Sequence, residues 1–251
     1  MKRFPEDLIK SLRNAKRVAV LTGAGASAES GVPTFREAQT GLWAEYRPED
    51  LAAPYAFEKN PWRVWEWYEW RRGLIENVMP NKGHYALVEM EKLLKAQSVE
   101  FTLITQNVDG LHQKAGNQNV IELHGNIERT KCAKCGKVAV RWQTTETHPP
   151  HCLQDNCGGL LRPDVVWFGE SLPLEALHKA MAAAQRCNIF LSIGTSTLVQ
   201  PAASLPTMAL DAKAVVVEIN PNPTPITGRV TYALEGLSGY ILPRLVAATW
   251  G

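Results

Sequence analysis

The 251-residue chain contains no apolar run of about 18 residues, the length a membrane-spanning helix requires. Its start, MKRFPEDLIK, has no apolar stretch of the kind a secretory signal carries, and its final Ala-Thr-Trp-Gly is no prenylation box. A soluble, cytoplasmic protein is the expectation. Neither charge is in excess: 27 Lys and Arg stand against 25 Asp and Glu, for a net charge of +2. With no basic run either, the chain lacks the field that draws nucleic acid or an anionic membrane surface. No internal repeat and no low-complexity segment occurs. A charged fraction of 21% against 45% hydrophobic residues excludes a disordered chain. Cysteine is scarce, at five residues.

Apolar runs that are present are short and evenly spread. Val18–Leu21, Phe101–Thr105, Val120–Leu123, Asn188–Ile193 and Ala214–Ile219 read as buried strands. Helical periodicity marks residues 5–16, 83–95 and 174–185, and two helical stretches over residues 48–77 broken at Asn60-Pro61. Strands alternating with helices predict an α/β fold on a parallel sheet, whose ligands bind at the carboxyl ends of the strands. Polar clusters sit at those ends: Thr22-Gly23, Thr105 to Asp109, Glu122 to Asn126, Gly194 to Ser196, and Asn220 to Asn222. Any one could be an ordinary turn. Together they point to a site.

Directly after the first strand comes Gly23-Ala24-Gly25-Ala26-Ser27-Ala28, the small-residue spacing of a dinucleotide-binding turn. The first glycine permits the turn, the second admits a pyrophosphate, and Ala28 allows helix packing. Ser27 and Glu29 stand where a helix cap is expected. Gly31 to Arg36 then cuts the helix short, placing Phe35 beside Arg36 on a loop able to fold over a cofactor.

Cys132, Cys135, Cys152 and Cys157 form two pairs, spaced as thiolate ligands of a tetrahedral zinc. Four thiolates leave no open position, so this metal is expected to be structural, worth on the order of 10 kcal/mol in a small module. His151 is an alternative ligand, and two disulfides are the alternative chemistry. Cys187 reads as a core residue. Over Trp62 to Arg72, helical spacing puts Tyr68 and Arg71 on one face, where phenol and guanidinium suit a carboxylate. Alternatively this is a surface helix whose Arg71 pairs with Glu69 or Glu76 in solvent.

Taken together, GAGASAESGVPTFR (Gly23–Arg36), TQNVDGLHQKAG (Thr105–Gly116), ELHGN (Glu122–Asn126), the four cysteines, RPDVVWFGE (Arg162–Glu170), GTS (Gly194–Ser196) and Ile219-Asn220 resemble the sirtuin family of NAD-dependent protein-lysine deacylases. The resemblance spans nearly the whole chain. It implies a Rossmann-like NAD-binding domain (residues 1–46, 78–126 and 164–251). A smaller domain would join a helical insert (47–77) to a zinc-binding module (127–163).

The resemblance also implies roles. Gly23, Ala24 and Gly25 offer backbone N–H groups to phosphate, with Ala26, Ser27 and Glu29 beside them. Arg36 pairs with phosphate and Phe35 shields the ribose. Gln106 bonds the nicotinamide ribose, while Asn107, Val108 and Asp109 surround the carboxamide. Gly194, Thr195 and Ser196 take phosphate or ribose hydroxyls. Asn220, Pro221 and Asn222 lie at the adenosine ribose, and Leu237, where many family members carry a smaller residue, lies near the adenine. His124 is the catalytic base. Val166 and Phe168 line the channel for the substrate lysine and Gly169-Glu170 pair with the substrate backbone, with simple core packing as the other reading of Val166 to Phe168. Tyr68 and Arg71 look like the Tyr-x-x-Arg pair of the class that removes succinyl, malonyl and glutaryl groups, with Ala52 or Ala53 leaving room. NAD is consumed: the acyl oxygen attacks C1′ of the ribose as nicotinamide leaves, and His124 deprotonates a ribose hydroxyl. Rival readings are a mono-ADP-ribosyltransferase on the same scaffold, a non-catalytic NAD-sensing zinc-ribbon protein and, least favoured, a dehydrogenase.

Overall fold

A computed structural model describes residues 3–32, 45–142 and 148–251. Helix α1 (Glu6–Arg13) leads into strand β1 (Arg17–Thr22), and a one-turn helix α2 (Gly25–Ala28) follows. Helices α3 (Pro54–Lys59), α4 (Pro61–Glu76) and α5 (Lys82–Ala96) come next. Then follow strand β2 (Glu100–Thr105), helix α6 (Leu111–Ala115), and strands β3 (Val120–Glu122), β4 (Gly125–Cys132), β5 (Val138–Ala139) and β6 (Leu161–Val165). The remaining elements are α7 (Leu174–Arg186), β7 (Ile189–Ile193), α8 (Leu205–Asp211), β8 (Val215–Asn220), β9 (Tyr232–Glu235) and α9 (Ser238–Trp250).

Six strands form one parallel sheet in the order β3-β2-β1-β7-β8-β9. Strand periodicity sorts its side chains between two cores. Val18, Val20, Ile189, Leu191 and Val217 face a cluster built with α1, α5 and α9. Ala19, Leu21, Phe190 and Val216 face the opposite cluster, built with α7 and α8. Helices therefore cover both faces, and strands buried on both faces read as unbroken apolar runs. The fold is α/β and Rossmann-like. Because every pairing is parallel, the polar strand ends foreseen in the sequence all fall on one edge.

A second, antiparallel sheet, β5-β4-β6, packs with α3 and α4. The break between those helices is local chemistry: Asn60 accepts the Arg63 N–H at 3.0 Å, and Pro61 starts the new helix without needing a donor. Leu51, Phe57, Trp67, Tyr68 and Trp167 fill this unit's own core. None of the described helices is long and apolar enough to cross a membrane.

Two histidines are buried where α5 and α6 meet the large sheet. His84 is 1% and His112 2% exposed, with ring centroids 4.8 Å apart. Burial pushes their pKa values down to about 4 and about 3. Above about pH 6.5 both are neutral in the folded and unfolded chain alike. Below it the unfolded chain binds protons that the native state refuses, so stability falls as pH drops, by about 1.4 kcal/mol per unit for each histidine. Urea midpoints at pH 7, 6 and 5 are expected to decline steadily. A flat series would contradict this assignment.

Candidate active site and metal centre

Backbone contacts fix the first loop. The Gly23 N–H donates to the Ile193 carbonyl (3.0 Å) and the Gly25 N–H to the Gly194 carbonyl (2.8 Å). A Cβ at Gly25 would lie 2.8 Å from Gly194 Cα, and one at Gly194, whose φ is +58°, would lie 2.4 Å from the Ala26 nitrogen. These glycines let two strand-end loops touch. This corrects the sequence reading, which gave the N–H groups of Gly23, Ala24 and Gly25 to phosphate. Of the three, only that of Ala24, which is exposed, has no acceptor among the described residues. Glu29 is a second correction. It does not begin the helix of its own loop but stands at the C-terminal end of α2; its carboxylate accepts the Gly239 N–H at 2.6 Å and the Ser238 hydroxyl at 3.3 Å, holding the start of α9. Phe35 and Arg36 lie outside the described residues.

A hydrogen-bonded mesh joins the strand ends. Asn107 Nδ2 donates to the Gly23 carbonyl and to Ser27 Oγ, both at 3.0 Å. Its two amide hydrogens are thus engaged, and Oδ1 remains as an acceptor. Asp109, 5% exposed, accepts the Leu111 N–H at 3.0 Å and the Ser27 hydroxyl, while burial raises its pKa. Val108 packs on the core of the smaller unit. Gln106 Nε2 donates to Thr195 Oγ1 at 2.9 Å, and Asn220 Nδ2 to the Thr195 carbonyl at 3.0 Å. Ala26 is buried, while Ser196, Pro221, Asn222 and Leu237 are exposed along this edge.

His124 follows β3. Its Nδ1 lies 2.9 Å from the Gln106 carbonyl, which can only accept, so Nδ1 carries the proton and Nε2 keeps its lone pair. Burial holds its pKa below the ordinary 6.5. The next residue, Gly125, has φ +79°, and a Cβ there would fall 2.1 Å from the Asp164 carbonyl oxygen. The turn that aims His124 therefore excludes any side chain at that position. The His124 carbonyl accepts the Val166 N–H at 2.9 Å, which carries the chain from β6 past the histidine to exposed Phe168 and Gly169. Trp167 is 3% exposed and is core, so the packing reading of this stretch holds for that residue. Glu170 is held by Arg162 and the Trp167 N–H.

Tyr68 and Arg71 are 0% and 7% exposed on the inner face of α4. The solvent alternative is overturned: the surface pair with Glu69 is made by Arg72. Arg71 lies 5.0 Å from the Trp67 ring centroid and feels the charge of Asp109 and the phenol of Tyr68. Ala52 and Ala53 are buried in the same core. His84 went unremarked in the sequence. Its Nδ1 accepts the Asn81 N–H at 3.2 Å and its Nε2 lies 3.5 Å from Ser27 Oγ. The signal was there: Asn81-x-x-His84 at a helix start has the form of a capping box.

Away from this edge, the sulfurs of Cys132, Cys135, Cys152 and Cys157 lie within 4.8 Å of one another, and none is in a disulfide. Cys132 and Cys157 Sγ are 3.6 Å apart, Cys135 and Cys152 Sγ 3.9 Å. A tetrahedron with Zn–S bonds of about 2.3 Å separates its sulfurs by about 3.8 Å, so the four residues fit zinc. His151 bonds the Gly158 carbonyl instead of joining them. Chelation is expected to release one zinc per chain and lower Tm by roughly 5 °C or more. Differential scanning fluorimetry with a metal assay checks this, and an unchanged Tm after zinc loss would contradict it.

The comparisons agree with this geometry. The Sir2 family profile matches residues 23–201. NAD-dependent protein deacylase 2 of Pyrobaculum aerophilum is 51% identical over 235 residues, 94% of this chain and 92% of that protein. NAD-dependent protein deacylase 1 of Archaeoglobus fulgidus is 46% identical over 241 residues, 96% of each. A solved Sir2 homologue in complex with NAD has a TM-score of 0.88 at 45% identity, covering 99% of this chain and 94% of that one. A parallel sheet with its polar ends meshed around a turn-borne histidine, a four-cysteine centre and matches along its length make this chain a member of the Sir2 family.

Proposed function

We propose that this protein removes acyl groups from lysine side chains of proteins, consuming NAD and releasing nicotinamide and O-acyl-ADP-ribose, and that it favours acidic acyl groups such as succinyl, malonyl and glutaryl. The observation that carries the chemistry is His124 with its proton held on Nδ1 by the Gln106 carbonyl. A neutral imidazole with Nε2 unprotonated is a general base at working pH. In this reading NAD lies along the strand ends, with nicotinamide toward Asn107 and Asp109, phosphates toward Ala24, Thr195 and Ser196, and adenosine toward Asn220 and Leu237. The free Oδ1 of Asn107 accepts from the carboxamide. Val166, Phe168 and Gly169 flank the acyl-lysine, and His124 takes a proton from the ribose hydroxyl that attacks the acyl carbon. A four-thiolate zinc centre suits a reducing compartment, so we assign the cytoplasm.

Support for acidic acyl groups comes from Tyr68 and Arg71, buried together beside Asp109. Asp109 gives the guanidinium an anionic neighbour, and a bound acyl carboxylate would add a second. The test is nicotinamide release with acyl-lysine peptides. Release that requires both NAD and an acylated lysine, and is faster with succinyl than with acetyl, supports the reading. Equal release with and without acyl peptide would overturn it.

A further inference from the structure

Trp167 lies within the core of the smaller unit, yet its ring carries a polar group. Its indole Nε1 donates to Tyr68 Oη at 3.0 Å. Indole N–H is a donor only, so the phenol oxygen is the acceptor and its own proton must go elsewhere. Among the described residues no group accepts that proton, although Tyr68 is 0% exposed. Burial pushes the Tyr68 pKa up to about 12, which keeps the proton in place at working pH.

The indole is rigidly held. The Arg162 guanidinium carbon stands 3.2 Å from its ring centroid. Arg162 in turn donates to both Glu170 carboxylate oxygens, at 2.5 and 2.9 Å, and to the Val165 carbonyl at 2.9 Å. Glu170 Oε2 also accepts the Trp167 backbone N–H at 2.8 Å. Phe57 packs against the ring at a 5.3 Å centroid distance. A stacked cation, a bidentate ion pair and a backbone bond thus fix where the indole N–H points.

We propose that Trp167 is a positioning residue for acyl preference: its indole N–H takes the acceptor side of Tyr68, leaving the phenol as a dedicated donor to the distal carboxylate of an acidic acyl group. This rests on the acidic-acyl reading given above. The device discriminates in both directions. An acidic acyl group accepts a hydrogen bond from the phenol, whereas acetyl leaves a buried donor unpaired, which is costly.

The test compares kcat/KM for succinyl- and acetyl-lysine peptides of one sequence, in wild type, Trp167→Phe, Tyr68→Phe, their double variant and Arg71→Met. The succinyl-to-acetyl ratio is expected to fall about tenfold in Trp167→Phe, the size of one hydrogen bond to a charged group. Added to Tyr68→Phe, the same change is expected to move the ratio less than about twofold, because the two residues act through one bond. Replacing Trp167 by benzothienylalanine, which keeps the bicyclic shape and lacks the N–H, is expected to reproduce the loss and guards against misfolding of the Phe variant. An unaltered ratio in Trp167→Phe, multiplying losses, or a wild-type ratio in the benzothienyl protein overturns the proposal. If Arg71→Met changes the ratio and the Trp167 variants do not, only the role of Trp167 falls. If Arg71→Met leaves the ratio unchanged, the acidic-acyl reading falls with it.

Discussion

His124→Ala is expected to lower deacylation roughly 100- to 10,000-fold, the range general-base catalysis contributes, while NAD binding persists. The expectation follows from the position of the ring. Nδ1 is bound to the Gln106 carbonyl, so the imidazole contributes little besides the Nε2 lone pair to a ligand. The hydrogen bonds that order Asn107, Asp109, Thr195 and Asn220 run through other groups, so removing the imidazole leaves them in place. The base must be neutral, and burial depresses its pKa below 6.5. In wild type, kcat/KM is therefore expected to stay high at pH 6.5 and fall on acidification through a pKa below that value. Isothermal titration with NAD and a pH–rate profile check both parts. Deacylation retained in the alanine variant, or an acid limb centred above pH 6.5, would remove His124 from its role.

Arg71→Met is expected to reduce the ratio of succinyl to acetyl kcat/KM by roughly 10- to 100-fold, the range of one or two charge-assisted hydrogen bonds. Methionine keeps much of the apolar stem, which packs by Trp67, and removes the cation. Asp109 then loses a positive neighbour, so NAD affinity is expected to weaken for every substrate. Reading the ratio at saturating NAD separates that shared effect from the acyl-specific one. Equal losses on both peptides would show that Arg71 serves Asp109 alone.

The sheet was legible because its inner strands are buried on both faces. Runs such as Ile189–Ile193, fully buried, leave no other reading. Strand β9 was missed for the opposite reason. It is an edge strand of four residues that alternates between part-buried and exposed. Strand β4, GNIERTKC, is too polar to stand out, and its pairing with β6 depends on partners distant in the chain, from Cys132 with Leu161 to Gly125 with Val165, supported by the Arg129–Asp164 ion pair. Pro243 inside α9 hides the bounds of that helix.

Local spacing made legible the cysteine cluster, the tight turn after β1 and the polar strand ends around Asn107 and His124. Contacts that span the chain were not legible. Glu29 holds Gly239 across 210 positions, and Trp167 bonds Tyr68 across 99. No pattern within a short window encodes either. The close approach of Gly23 and Gly25 to the Gly194 loop is a contact of the same kind, which the turn's own spacing does not encode.

The most direct measurement is mass spectrometry of both products from a succinyl-lysine peptide incubated with NAD. Free-lysine peptide and O-succinyl-ADP-ribose are expected in equal amounts, with one nicotinamide released for each. A peptide that retains its acyl group and gains ADP-ribose, or nicotinamide released with no acylated ADP-ribose, would contradict the proposed reaction.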